Sequence, residues 1–247
     1  MLTATERLDN YWAAELGCKP ADLYGGRMLV IAPRHREGPR WMGWMVPLEC
    51  IVVSAAQGGS GVVSVAPSLA YTLTRYVTPH TTPRECLPPD GRQLHYFARA
   101  HLPTGQAKVH RVLFCVRDGF TPTPDPMPVD ILGDDDIHVA WYRMHFDGPV
   151  FTARSERGSI AAWAAIKCKS DDIWEMAVAT EPQYRGLGLA RSVITHATRA
   201  AFDAGKQPLY LHDISNTASA HVCAANGYQP YGYELTCESG RIMPARR

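Results

Sequence analysis

The residues best placed to do chemistry lie in one short run, Glu181-Pro-Gln-Tyr-Arg-Gly-Leu-Gly-Leu-Ala-Arg191. An apolar strand-like run, Ile173 to Thr180, precedes it, and a helix-like run to about Ala204 follows it. A strand feeding a glycine-rich turn and then a helix N-terminus is a physical anion trap. Gly186 and Gly188 remove side chains where a ligand must touch backbone. The first helical N–H groups have no intrahelical acceptor, and the helix dipole adds partial positive charge at the same place. Such a turn suits a phosphate or pyrophosphate.

Two familiar phosphate loops do not fit. A Walker A loop needs G-x-x-x-x-G-K-[ST], and no Lys follows these glycines. The dinucleotide fingerprint needs a third small residue for close helix–strand packing, and Arg191 stands at that position. A third pattern fits better. Gln183-x-x-Gly186-x-Gly188, overlapping Arg185-x-x-Gly188-x-Ala190, resembles the acyl-CoA pyrophosphate motif of the GNAT superfamily of N-acyltransferases. Downstream stand Pro208-Leu-Tyr-Leu-His-Asp213, Asn216-x-x-Ser219 and Gly227-Tyr228, in an order similar to the family's second half. The resemblance covers roughly residues 145–237.

The resemblance implies an N-acetyltransferase that uses acetyl-CoA as cosubstrate and a primary amine of a small molecule or peptide as acceptor, by direct transfer. It implies that Gln183, Arg185, Gly186, Leu187, Gly188, Leu189 and Ala190 hold the pyrophosphate, with Asn216 and Ser219 also on the cosubstrate. The strand positions Val178, Ala179 and Thr180 would bind the pantetheine through backbone groups and turn an N–H toward the thioester oxygen. The family often places an acidic base on this strand. Glu175 is the favoured candidate, and Asp171 and Asp172 are others. A carboxylate inside the apolar run Ile-Trp-Glu-Met-Ala-Val is expected to have a raised pKa and to accept a proton near neutrality. His212, on the next strand, is the second candidate, because an imidazole ordinarily titrates near neutrality.

Many family members carry a Tyr seven residues after the Asn that matches Asn216; here that position is Cys223. The departure puts the protonation of the leaving thiolate in question and leaves cofactor binding untouched. Two other readings therefore stay open. One is a non-catalytic acyl-CoA-binding sensor. The other is a thiol enzyme using Cys223 with His212 or His221. The acids Asp171, Asp172, Glu175 and Glu181 suggest a cationic acceptor, or simply a solvated run of charge.

Composition narrows the partners. The chain has 247 residues, 46% hydrophobic and 20% charged, enough to bury a core. A net charge of +1 gives no single-sign field for nucleic acid or an anionic membrane. The longest apolar region, Val46 to Ala70, is broken by Glu49, Gln57 and a Gly-Gly-Ser-Gly run, which excludes a membrane span. The N-terminal residues lack a signal pattern, so a cytoplasmic location is expected. Seven cysteines without a C-x-x-C pair, and scattered histidines (His95 with His101, His35 with His80), give no metal motif. A homodimer is an allowed assembly.

The elements that must position these residues follow from periodicity. The expected fold is α/β (α+β): a GNAT-like mixed sheet flanked by helices, preceded by a small α+β domain. The expected division is 1–120, a proline-rich linker at 121–128, and 129–247. In the first part, Thr3–Leu16 reads as a helix, and 27–32, 50–54, 62–65, 94–100 and 111–116 read as strands. A turn is expected at Gly58–Gly61, a short helix over 67–76, and an ordered loop over 78–91. The pattern predicts a helix over 134–145 and a hairpin around Glu156-Arg-Gly158. Further expectations are a strand at 173–180 and a helix whose face is Leu189, Val193, Ile194, Ala197, Ala200 and Ala201. Gly205 ends that helix. A strand at 209–213, a helix capped at Ser215 or Asn216, and a closing strand at 231–236 complete the chain.

Overall fold

The computed structural model describes residues 2–25, 28–31, 40–41, 44–45, 48–55, 61–78, 80–86, 91–101, 107–238 and 243–244. In chain order these form α1 (Ala4–Leu16), β1 (Met28–Ile31), β2 (Arg40–Trp41), β3 (Trp44–Met45), β4 (Leu48–Ala55), β5 (Gly61–Val65), α2 (Pro67–Leu73), α3 (Pro83–Cys86) and α4 (Gln93–His101). They continue as β6 (Ala107–Phe114), β7 (Val129–Ile131), α5 (Val139–His145), β8 (Val150–Arg154), β9 (Ile160–Cys168), β10 (Ile173–Thr180), α6 (Leu189–Asp203), β11 (Gln207–Asp213), α7 (Thr217–Ala225), β12 (Gln229–Glu238) and β13 (Met243–Pro244). Two compact units emerge: residues 1–7 with 112–230, and residues 8–111 with 231–247.

The unit of residues 112–230 carries the anion-trap turn. Its strands lie in the order β11-β10-β9-β8-β7, with the end of β6 beside β11. β10 runs parallel to β11 and antiparallel to β9, so the sheet is mixed. Helices pack on both faces of the sheet. Phe151, Ala153, Ala162, Ala164, Ile166 and Met176 face α6 and α7, and Val150, Trp163 and Ala165 face α5. The alanines of β9 explain the layering, because small side chains on alternate faces let a helix approach from either side. α6 buries Leu189, Val193, Ile194, Ala197 and Ala201, the stripe expected from the sequence, with Ala200 partly buried beside it. Gly205 ends it, and Lys206 N–H returns to the Ala201 carbonyl. Gly227 (φ 80°) admits no other residue, because an added Cβ would lie 1.9 Å from the Gly119 carbonyl oxygen.

Residues 121–128, read from the sequence as a linker, lie in this unit and run along α6. Thr123 N–H donates to Thr195 Oγ1 at 3.1 Å, and Asp125 bonds Ser192 and His196. The second unit contains β1-β5-β4-β12. Its core is Met28, Val63, Val65, Leu73, Leu94, Phe97, Val109 and Leu235.

Three local expectations are corrected. Residues 94–100 are helical, in α4, because Leu94, Phe97 and Ala98 recur at i, i+3 and i+4 and are buried. The helix expected over 134–145 starts at Val139. Its leading acids are spent outside it: the Asp136 carboxylate accepts the His138 N–H at 2.8 Å, and Asp134 pairs with Arg143. Such local bonds compete with a helix. The expected loop at 78–91 contains α3. The Gly58–Gly61 turn largely falls outside the described residues, as do His35 and the side chains of Trp41 and Trp44.

Candidate active site

The site is built where two neighbouring strands part. The ladder between β10 and β11 runs from Ile173–Gln207 to Met176–Tyr210 and stops there. β10 continues through Ala177, Val178, Ala179 and Thr180, and β11 through Leu211, His212 and Asp213. On its other edge β10 stays paired with β9 as far as Thr180–Ala162. Residues 177–180 are thus a strand held firmly from one side, with the β11-side edge open. Backbone groups on such an edge need a partner, and an extended ligand can supply it by adding as a strand. Val178 is partly buried and Ala179 exposed.

At the end of this strand the chain makes a tight turn, Pro182–Tyr184, and enters α6 through Gly188. Gly186 (φ 81°) and Gly188 (φ 82°) both hold the left-handed conformation that favours glycine. A Cβ at Gly186 would meet nothing within 4 Å, so the space over the turn is open. Arg191 N–H and Ser192 N–H both return to the Gly188 carbonyl, so the N–H groups before them lie beyond the first helical turn. Gln183, Arg185 and Leu187 are exposed, Ala190 is partly buried, and Leu189 is core, leaving only its backbone for a ligand. Arg185 Nε donates to the Thr180 carbonyl at 3.3 Å and ties the turn to the strand. Asn216 caps α7, its Oδ1 accepting the Ser219 N–H at 3.0 Å. Ser219 Oγ shares a 2.9 Å bond with the Tyr210 hydroxyl.

The two candidate bases differ sharply. Glu175 is buried, with Lys167 Nζ at 3.0 Å and Lys169 Nζ at 3.5 Å. Burial pushes its carboxyl upward, but the two ammonium groups outweigh burial and hold it below the usual carboxylate range. The raised pKa expected from the sequence is therefore reversed. The apolar run hides the cross-strand partner, since Lys167 stands opposite Glu175 in the β9–β10 register. Asp171 and Asp172 are exposed before β10 begins, and Arg7 lies 3.7 Å from Asp172.

His212 is also buried, in the stretch where β11 has left β10. Its Nδ1 lies 2.8 Å from the Asp213 carbonyl oxygen, which can only accept, so the ring proton sits on Nδ1. Nε2 is buried and has no hydrogen-bond partner among the described residues. Such an atom is costly unless something completes it.

Cys223 is fully buried in the α6 face of the core. Burial pushes its thiol up to about 12, and the Tyr210 hydroxyl bonds it. It is packed as a small apolar group and holds no thiolate near neutrality. His221 is exposed. Among the described residues no group of three or more His, Cys, Asp or Glu gathers as metal ligands.

Sequence reasoning missed Tyr210 as the partner of Ser219 and Cys223, a contact between separate elements with no local signal. It also missed the aromatic group Trp141, Tyr142, Phe146 and Trp163, although W-Y-x-x-x-F in one helical turn and its end was visible.

No curated protein matches the chain. Among solved structures, a protein from Novosphingobium aromaticivorans assigned as a GNAT acetyltransferase is 18% identical, over 56% of this chain and 66% of its own, with a TM-score of 0.48. A GCN5-related N-acetyltransferase from Kribbella flavida is 17% identical over 62% and 65%, TM-score 0.45. A GNAT acetyltransferase from Colwellia psychrerythraea is 13% identical over 76% and 80%, TM-score 0.46. The chain thus spans about two thirds of the first two. Residues 119–228 match the model of the acetyltransferase (GNAT) family, and the glycine turn and the parted strands lie within that match.

Proposed function

We propose that the chain moves an acetyl group from acetyl-CoA to a primary amine of a small molecule or peptide, by direct transfer. The observation that carries this reading is the open β11-side edge of residues 177–180, leading straight into the Gly186–Gly188 turn. An acyl-CoA has matching parts: a pyrophosphate for the turn and an amide-bearing arm for the edge.

The cosubstrate supplies an activated acetyl group on sulfur. The chain's residues do the rest. Backbone N–H groups at Leu187 to Ala190 hold the diphosphate at the positive end of α6. Val178, Ala179 and Thr180 align the arm and offer a backbone donor to the carbonyl oxygen as negative charge develops there. His212 Nε2 takes, directly or through a water, the proton that the acceptor's ammonium must lose before its nitrogen can attack. The amine nitrogen bonds the acetyl carbon, the carbon–sulfur bond breaks, the thiolate departs with the electron pair, and the nitrogen's remaining extra proton passes to that thiolate or to water. A CoA thiolate resembles a cysteine's, whose ordinary pKa is about 8.5, so it leaves without a dedicated acid. That is consistent with a core residue at Cys223.

The test is CoA release from acetyl-CoA in the presence of an amine library. Amine-dependent release, with the acetylated amine found by mass spectrometry, supports the reading. Tight acetyl-CoA binding with no turnover of any amine would favour the sensor alternative.

A further inference from the structure

The floor of the site has an aromatic wall beside it. Trp163 on β9 stands opposite Ala179 on β10, and residues opposed across an antiparallel ladder share a face. Tyr142 and Phe146 pack on the Trp163 ring at centroid distances of 5.4 and 5.3 Å. Trp141 reaches the same ring at 6.2 Å and stacks on His145 at 4.2 Å with 29° between planes. Tyr142 is buried, yet Trp141 is 47% exposed and Ala179 beside Trp163 is exposed. Trp141 is therefore the ring left open beside Trp163, whose face carries the acetyl-presenting strand end.

A negative charge accompanies it. Glu181 N–H donates to the Ala161 carbonyl at 2.9 Å, two residues along β9 from Trp163, and Asp136 accepts the His138 N–H just before α5, so both carboxylates lie by the same wall. Asp136 is spent on Arg154. Glu181 is exposed, and among the described residues no cation pairs with it. An open carboxylate beside open indole is the environment of an ammonium carried on an aromatic body, through ring stacking and charge attraction together.

We infer that the acceptor is an aryl-substituted alkylamine whose ring lies against Trp141 and whose ammonium is drawn by Glu181 toward Ala179; this rests on the acetyl-transfer reading above. Its ammonium gives one proton through water to His212, the freed nitrogen bonds the acetyl carbon, the carbon–sulfur bond breaks, and the departing thiolate or water takes the nitrogen's second proton.

The experiment compares tryptamine, 2-phenylethylamine and n-hexylamine as acceptors, by CoA release, in the full chain and its Trp141→Ala and Trp141→Phe variants. Acetyl-CoA binding is measured alongside by calorimetry. Aryl amines should exceed hexylamine in kcat/KM by about tenfold, the scale of one good aromatic contact. Trp141→Ala should erase that ratio, mainly through KM, and Trp141→Phe should keep most of it. Equal kcat/KM for aryl amines and hexylamine, or a ratio unmoved by Trp141→Ala, overturns the inference alone. Light scattering that shows a dimer broken by Trp141→Ala assigns the patch to a second copy and also overturns it. Failure to bind acetyl-CoA overturns the acetyl-transfer reading and the inference with it.

Discussion

Met176 and Tyr210 are the last residues paired across the β10–β11 ladder, and everything catalytic in the account lies just beyond them. Before this pair the two strands are ordinary parallel neighbours. After it, β10 keeps only its β9 partner while His212 remains buried with its Nε2 unpaired. One structural event thus creates both the open strand edge and the orphaned nitrogen.

His212 carries the proton in this scheme, so His212→Ala should lower kcat by about 10²–10⁴-fold, the usual scale for a general base. Acetyl-CoA affinity should stay within a few-fold. Steady-state rates beside calorimetry check both. A variant with wild-type kcat would pass the role to water or to another residue.

Glu175 is expected to matter for stability rather than rate. Its folded pKa is depressed, so its contribution is present above the unfolded carboxyl value, about 4.3, and is lost as pH falls through the lower folded value. Glu175→Gln should cost about 1–3 kcal/mol at neutral pH. That is below the roughly 3–5 kcal/mol of a fully buried broken pair, because Lys167 and Lys169 both reach solvent. Denaturant unfolding at neutral pH and near pH 3 measures this. The gap between wild type and Glu175→Gln should narrow in acid, while kcat at neutral pH changes little.

Cys223→Ala should lower the rate by less than about tenfold, below the usual acid–base effect. A buried thiol pushed up to about 12 is neither a nucleophile nor a ready acid at neutral pH. Mass spectrometry of enzyme quenched during turnover should find no acetyl group on Cys223. A trapped acetyl-cysteine there would revive the thiol mechanism.

Adding a methyl group at Gly227 should be costly. Its Cβ would lie 1.9 Å from the Gly119 carbonyl oxygen, and φ is 80°. Gly227→Ala should destabilise by about 3 kcal/mol or more, as an overpacked site with backbone strain does, visible as a lowered Tm.

The sequence made some of this legible and hid the rest for physical reasons. The Gly186–Gly188 turn and the α6 stripe were readable because both are local: fixed spacing along the chain decides them. The strand at 173–180 was readable for the same reason. Glu175 misled because its lysine partners sit across a ladder, and an apolar run says nothing of its neighbours. The 94–100 helix was missed because Leu94, Phe97 and Ala98 fit a strand's composition while obeying a helix's period. The parting of β10 from β11 has no sequence signal, since it is a property of two strands together.

The most direct measurement is acetyl-CoA binding by calorimetry to the wild type and to Gly186→Asp, with circular dichroism as the fold control. Gly186 is the sharper position because a side chain there meets no protein atom within 4 Å, and Asp is chosen because, after Gly and beside Asn, it best tolerates the left-handed backbone at φ 81°. The wild type should bind acetyl-CoA, and the folded variant should lose at least about a hundredfold in affinity, the result of a carboxylate set against a pyrophosphate. Equal affinity in a folded Gly186→Asp, or no binding by the wild type, would contradict this.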